Sequence, residues 1–210
     1  MVCGLLAAGF TTIRDPGDFD LDRAHLDVHD ATEAGVFIGP RVVGADRFVT
    51  RTGGRRLPRD ARAAGSDGAR AHLLGPHLLP EPISAEPDAW WTQWKADPDA
   101  ARKQVQAALA AGAPIAFGTD SGLHHHGEGI RQLAMFADAG MTPVETLRTI
   151  TVNGAQLLGF DKAGQIAAGY DADLIAVKRD PTKNVRVLEA VAFVMRGGIV
   201  VSADGSRAAP

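Results

Sequence analysis

Short β-branched runs alternate along this chain with helix-forming stretches that stop at glycine. That alternation constrains the fold more than any other feature. In "LLAAGFTTIRDPGD" a helix ends at Gly9 as a C′ residue, "FTTIRD" reads as a strand, and "PGD" turns the chain. Residues 21–34 read as a helix closed by Gly35, and residues 41–45 read as the next strand. Residues 51–98 are irregular and rich in Gly, Pro, Arg and Asp. Asp97 is then a candidate N-cap and Pro98 suits the first helical position. Ala101, Val105, Ala108 and Leu109 make one face of that helix, and Gly112 ends it. "PIAFGTD" is predicted as a buried strand by its length and flanks. "EGIRQLAMFADAG" is predicted as a helix with Ile130, Leu133, Ala134 and Ala137 inward. "TPVETLRTITVNGAQLLG" is predicted as a second helix, opened by a capping box of Thr142 and Glu145 with Pro143 at its first position. The tail then reads as strands, "DADLIAVKRD" and "VAFVMRGGIVV", with Gly197 and Gly198 as a tight hairpin turn. Alternation that finishes in strands points to an α/β fold with a parallel sheet and a strand-rich appendage.

Charge and cysteine content narrow the function classes. The formal net charge is −3 and both signs are interspersed, which argues against a nucleic-acid partner or a polybasic membrane role. Cys3 is the only cysteine, so an intrachain disulfide is excluded and a reducing, cytoplasmic setting is expected. The opening "MVCGLLAAGF" lacks a basic n-region and reads as a helix end, not a signal peptide. Nowhere does an apolar run approach the roughly 18 residues of a membrane-spanning helix.

The chemistry-bearing stretch is "APIAFGTDSGLHHHGEG", where an apolar run stops at Asp120 and His124, His125 and His126 follow. A carboxylate at a strand end can ligate a divalent metal or take a proton from a metal-bound water. It can equally form an Asx turn or a helix N-cap. Three neighbouring loop histidines cannot all face one ion. They read as solvated side chains, or as a source of one imidazole ligand. Ser121 follows Asp120 without a G-x-S-x-G elbow, which disfavours a serine nucleophile.

Taken in chain order, "LLAAGFTTIRDPGD", "GPRVVGADRFVTRTGG", "AGAPIAFGTDSGLHHHGEG", "GMTPVETLRTITVNGAQLLG" and "AGQIAAGYDADLIAVKRDP" resemble consecutive segments of the amidohydrolase superfamily, in its imidazolonepropionase-like and Xaa-Pro dipeptidase-like branch. The resemblance implies a partial TIM-like (β/α) barrel over residues 1–163 and a small C-terminal β-sandwich-type layer over residues 164–210. It implies hydrolysis of a C–N bond in a small-molecule amide, cyclic amide or dipeptide. A divalent metal, with zinc the expected ion, would activate water. Asp120 would be the catalytic carboxylate and a metal ligand, His126 a second metal ligand, and His125 and Ser121 substrate contacts. Arg14 and Asp15 match a strand end whose role in the family is mostly structural.

The sequence also departs from that pattern. The family's His-x-His pair has no counterpart upstream of Asp120, and the chain reads as shortened at its start and in its interior. His25 and His29 have helical i, i+4 spacing and read as a solvated face. His72, His77 and Lys95 lack the family's surrounding motifs, and Arg55 stands where a "GGH" imidazole would be. Catalytic zinc takes three protein ligands plus water, more than these residues offer. Two further readings therefore stand beside the hydrolase. One is a non-catalytic remnant that associates with another chain. The other is an accessory metal-binding protein using the histidine cluster. Unpaired strand edges of a shortened barrel invite association, so a homo-oligomer is expected. Trp90, Trp91 and Trp94 read as core packing of an amphipathic turn.

Overall fold

The computed structural model describes residues 2–15, 24–44, 98–119, 128–203 and 206–207. The Asp97 cap, the three tryptophans, Arg55, His72, His77 and Lys95 lie outside the described residues.

The N-terminal part is a strand–helix–strand unit. Helix α1 (Val2–Ala7) buries Leu5 and Leu6, and Gly9 at φ +98° turns the chain into strand β1 (Thr12–Asp15). A Cβ at Gly9 would lie 3.2 Å from Val191 Cγ2 and 3.3 Å from Ile175 Cγ2, so glycine here answers both the left-handed backbone and a close contact with the tail. Helix α2 (Ala24–Glu33) leads to strand β2 (Arg41–Gly44). β1 and β2 pair in parallel, from Thr12 opposite Arg41 to Asp15 opposite Gly44. Parallel neighbours need a crossover, and the helix between them supplies it. Both strands and the helix fall where the sequence places them.

The central core is helical. Helix α3 (Pro98–Ala110) contributes Val105. A 3₁₀ helix (Glu128–Leu133) and helix α4 (Ala134–Asp138) contribute Leu133 and Phe136. A second 3₁₀ helix (Val185–Glu189) contributes Val185 and Leu188. Helices α5 (Pro143–Ile150) and α6 (Val152–Leu157) pack beside them, with Leu147 and Ile150 against the same cluster.

Three expectations need correction here. The helix predicted over residues 128–139 opens as 3₁₀. The expected inward residues hold: Leu133 and Ala134 are buried, Ile130 and Ala137 pack partly buried against the core, and Phe136 is buried as well. The helix predicted over residues 142–159 breaks at Thr151, whose φ and ψ are −122° and −96°. There the Thr149 carbonyl accepts from the Phe117 N–H at 3.0 Å, and the Thr151 hydroxyl donates back to the Leu147 carbonyl at 2.8 Å. The strand predicted at "PIAFGTD" is irregular over its described part, residues 114–119, with no strand beside it among the described residues. Two of its main-chain groups, the Ile115 carbonyl and the Phe117 N–H, bond to the α5–α6 junction.

The tail forms one four-stranded antiparallel sheet in the order β3 (Leu174–Val177), β4 (Val191–Arg196), β5 (Ile199–Ala203) and β6 (Ser206–Arg207). Gly197 and Gly198 turn between β4 and β5 with φ of +55° and +81°, the two positive angles of a type I′ hairpin. The described strands of the tail thus make one four-stranded layer. Ion pairs tie this layer to the N-terminal unit. Arg41 reaches Asp171 at 3.0 Å while lying 5.1 Å over the Phe160 ring, and Arg196 reaches Glu33 at 2.9 Å. Among the described residues no helix is long and apolar enough to cross a membrane.

The predicted capping box is present. The Thr142 N–H donates to Glu145 Oε2 at 2.7 Å, and the Glu145 N–H donates to Thr142 Oγ1 at 3.2 Å. The Thr142 N–H, and after it the Thr142 hydroxyl that donates to Glu145 Oε2 at 2.8 Å, hold the Glu145 carboxyl below the usual carboxylate range. A lowered native pKa gives stability that is fully present above the ordinary carboxylate pKa and lost as pH falls through the lowered value. We therefore expect Thr142→Ala to lower the melting midpoint at neutral pH by about 2–4 °C. Thermal melts at descending pH should show the gap to wild type narrowing as Glu145 is protonated and its bond from the Thr142 hydroxyl weakens, with a remainder in strong acid from the Glu145 N–H bond to Thr142 Oγ1. A gap that widens as pH falls would contradict this account.

Candidate functional site

The candidate site is built around residues 113–119, which lead directly into Asp120. Contacts among the described residues fix this stretch. The Phe117 N–H donates to the Thr149 carbonyl, and the Asn153 side-chain amide donates to the Ile115 carbonyl at 2.8 Å. The Phe117 ring meets Phe136 edge-on, with centroids 5.8 Å apart and planes at 67°. At the far end, Gly129 is buried against Thr119. A Cβ at Gly129 would fall 2.7 Å from Thr119 Cγ2 and 2.9 Å from Thr119 Cβ, so only glycine permits this approach. Chain that leaves at Thr119 therefore resumes beside it.

Asp120, Ser121, His125 and His126, the residues singled out from sequence, lie outside the described residues, as does His124. What the structure describes is the chain on either side of them. Thr149, Asn153 and Gly129 were missed by sequence reasoning. A signal existed in "TITVN": β-branched residues followed by Asn are weak helix formers and mark a place where a helix can break.

Other candidates fall elsewhere. His29 lies on the partly exposed face of α2, 3.0 Å from the Asp30 carboxylate, consistent with a solvated helix face, while the His25 side chain lies outside the described residues. Arg14 is partly buried on β1, and burial lowers the pKa of its guanidinium. Among the described residues, no group of three or more His, Cys, Asp or Glu side chains is placed to hold a metal ion.

Shallow cavities border this region among the described residues. One of about 210 Å³ lies against α6, lined by Val152, Gln156, Phe160, Asp161 and Gln165. One of about 140 Å³ is lined by Pro114, Ile115, Glu145, Arg148 and Asn153. The second borders the start of the 113–119 stretch, at the opposite end from Asp120.

Comparison with known proteins adds the lineage. A model of the amidohydrolase family matches residues 97–202. Ochratoxinase of Aspergillus niger is 32% identical over 121 residues, a match taking in 55% of this chain and 25% of the ochratoxinase. The match thus spans about a quarter of that relative's length. A crystal structure of a Xaa-Pro dipeptidase with bound methionine in the active site superposes with a TM-score of 0.72 at 20% identity, over 96% of this chain and 77% of that one. The A. niger ochratoxinase structure superposes with a TM-score of 0.64 at 18% identity, over 97% of this chain and 74% of that one. At these identities the structural likeness establishes a shared mixed α/β fold.

Proposed function

Because this chain belongs to the amidohydrolase family, matched over residues 97–202 of its 210, we propose that it is a hydrolase of C–N bonds in small amide, cyclic amide or dipeptide-like molecules, with Asp120 as its acid–base carboxylate. The observation that carries this reading is the anchoring of residues 115–119 by Asn153, Thr149, Phe136 and Gly129. A carboxylate that must exchange a proton within hydrogen-bond reach needs a fixed main chain behind it. In the proposed reaction water adds to the carbonyl carbon and the bond to nitrogen breaks. Asp120 accepts the proton of the attacking water and returns it to the departing amine. Ser121 and His125 are the proposed substrate contacts. The parallel β1–β2 pair and the 113–119 stretch are proposed as parts of a (β/α) barrel over residues 1–163, with the tail from residue 164 as a separate small layer. A cytoplasmic location is part of the same reading.

The family's chemistry uses divalent metal ions, and zinc is the ion proposed, held by Asp120 and His126. Zinc would polarise the scissile carbonyl and activate water. These two donors fall short of the three protein ligands of a catalytic zinc centre. The donor set does not fit a complete site, and no step is drawn through the ion. The shortfall favours a second reading, in which the chain is impaired alone and pairs with another chain, including a second copy of itself. On the strand-rich tail, Ile199 is 62% and Val200 37% exposed, an apolar edge suited to such pairing.

The test is amine release from N-acyl amino acids and Xaa-Pro dipeptides by the purified chain, with and without added zinc. Turnover stimulated by zinc supports the hydrolase. Absence of turnover under every condition would leave the second reading.

A further inference from the structure

We infer that the β4–β5 turn and residues 171–173 form a conformational clip that closes the tail layer onto the N-terminal strand–helix–strand unit, and that its two ion pairs act as one. The turn is held from two sides. On one side Arg196, the last residue of β4, reaches Glu33 at the end of α2 at 2.9 Å. On the other, the Gly197 N–H donates to Asp173 Oδ1 at 2.7 Å and the Gly198 N–H donates to the Ala172 carbonyl at 3.0 Å. Asp171, next in the chain, accepts from Arg41 at 3.0 Å, and Arg41 is the first residue of β2. The Asp171 N–H donates to the Lys162 carbonyl at 2.8 Å, which closes the loop leading to it. α2 and β2 pack on each other. The contacts therefore run in a ring: from α2 through Glu33 and Arg196 to the turn, through residues 173–171 to Arg41, and along β2 back to α2.

The ring changes what each ion pair contributes. A partly exposed pair alone adds little, because solvent and side-chain ordering offset its attraction. Within a ring, one closed pair holds the groups of the other at high effective concentration, so the second forms without a new ordering cost. Arg41 is placed in advance, since its guanidinium lies 5.1 Å over the Phe160 ring. Either pair alone keeps the clip shut. Losing both opens it.

The experiment is residue-resolved amide hydrogen exchange on the full chain, comparing wild type, Glu33→Ala, Asp171→Ala and the double variant. The two carboxylates are 49% and 40% exposed, so their removal leaves the core intact, and circular dichroism checks this. Each single variant should speed exchange at Gly197 and Gly198 by about threefold. The double variant should speed it by about 30-fold or more, beyond the roughly ninefold product expected of independent sites. Raising salt from about 0.05 M to about 1 M should speed the same amides in wild type and leave the double variant unchanged. Glu189→Ala serves as the control: it breaks the 3.6 Å pair with Arg186 inside the second 3₁₀ helix and should leave the turn as in wild type. A double-variant effect no larger than the product would overturn the inference and make these two independent surface pairs. Unchanged exchange at Gly197 and Gly198 in the double variant would overturn it as well.

Discussion

Replacing Asp120 by Asn should lower kcat for amide hydrolysis by about 10²- to 10⁴-fold, the range typical of a lost general acid–base group. Asparagine matches aspartate in size and keeps a carbonyl oxygen, but it cannot take a proton from water and return it to an amine. The effect should fall on kcat and kcat/KM together, because the proton moves in the transition state and not on binding. Folding should be unaffected, because the contacts that fix the approach, at Ile115, Phe117 and Thr119, all precede residue 120. Steady-state rates with circular dichroism on the same samples check both halves. A variant retaining more than about half of wild-type kcat would remove Asp120 from the acid–base role.

Phe136→Ala should be the most damaging core substitution, costing about 3–5 kcal/mol. Phe136 is 5% exposed and sits between Leu133, Met141 and the second 3₁₀ helix, with Phe117 edge-on to its ring. Part of the loss is the aromatic pair, worth about 0.5–1.5 kcal/mol beyond buried area. A typical domain has about 5–15 kcal/mol in total, so the variant approaches the limit of folding. Phe136→Leu, which keeps most of the apolar volume, should cost about 1.5 kcal/mol. Urea denaturation should move the midpoint with little change in slope. A loss under about 1 kcal/mol for the alanine variant would mean that the helical core does not depend on this ring.

Much of the local structure is legible in the sequence, because it rests on short-range chemistry. Gly9 can take a positive φ at a helix end, the "TPVE" run carries its own cap, and Gly197 with Gly198 forces a tight hairpin. β1 and β2 announce themselves by β-branched residues between turn signals. The failures share one cause. An apolar run such as "PIAF" shows that a segment is buried, but not which groups satisfy its main chain. Here the partners are Thr149 and Asn153, more than thirty residues later, and recruiting them breaks a helix that the apolar spacing of Leu147, Ile150, Ala155 and Leu158 would carry straight through. The same limit applies to the site. Asp120 stands out because an acid ends an apolar run. Gly129 looks like an ordinary loop residue until its contact with Thr119 is seen.

The central claim is that this chain hydrolyses C–N bonds through Asp120, and the most direct measurement is the release of free amine from a panel of N-acyl amino acids and Xaa-Pro dipeptides. Purified wild type and Asp120→Asn would be run side by side, each with and without added zinc. The account predicts steady amine release by the wild type in at least one condition and near-background release by the variant in both. Equal rates for the two proteins, or no release from any substrate by the wild type in either condition, would contradict it.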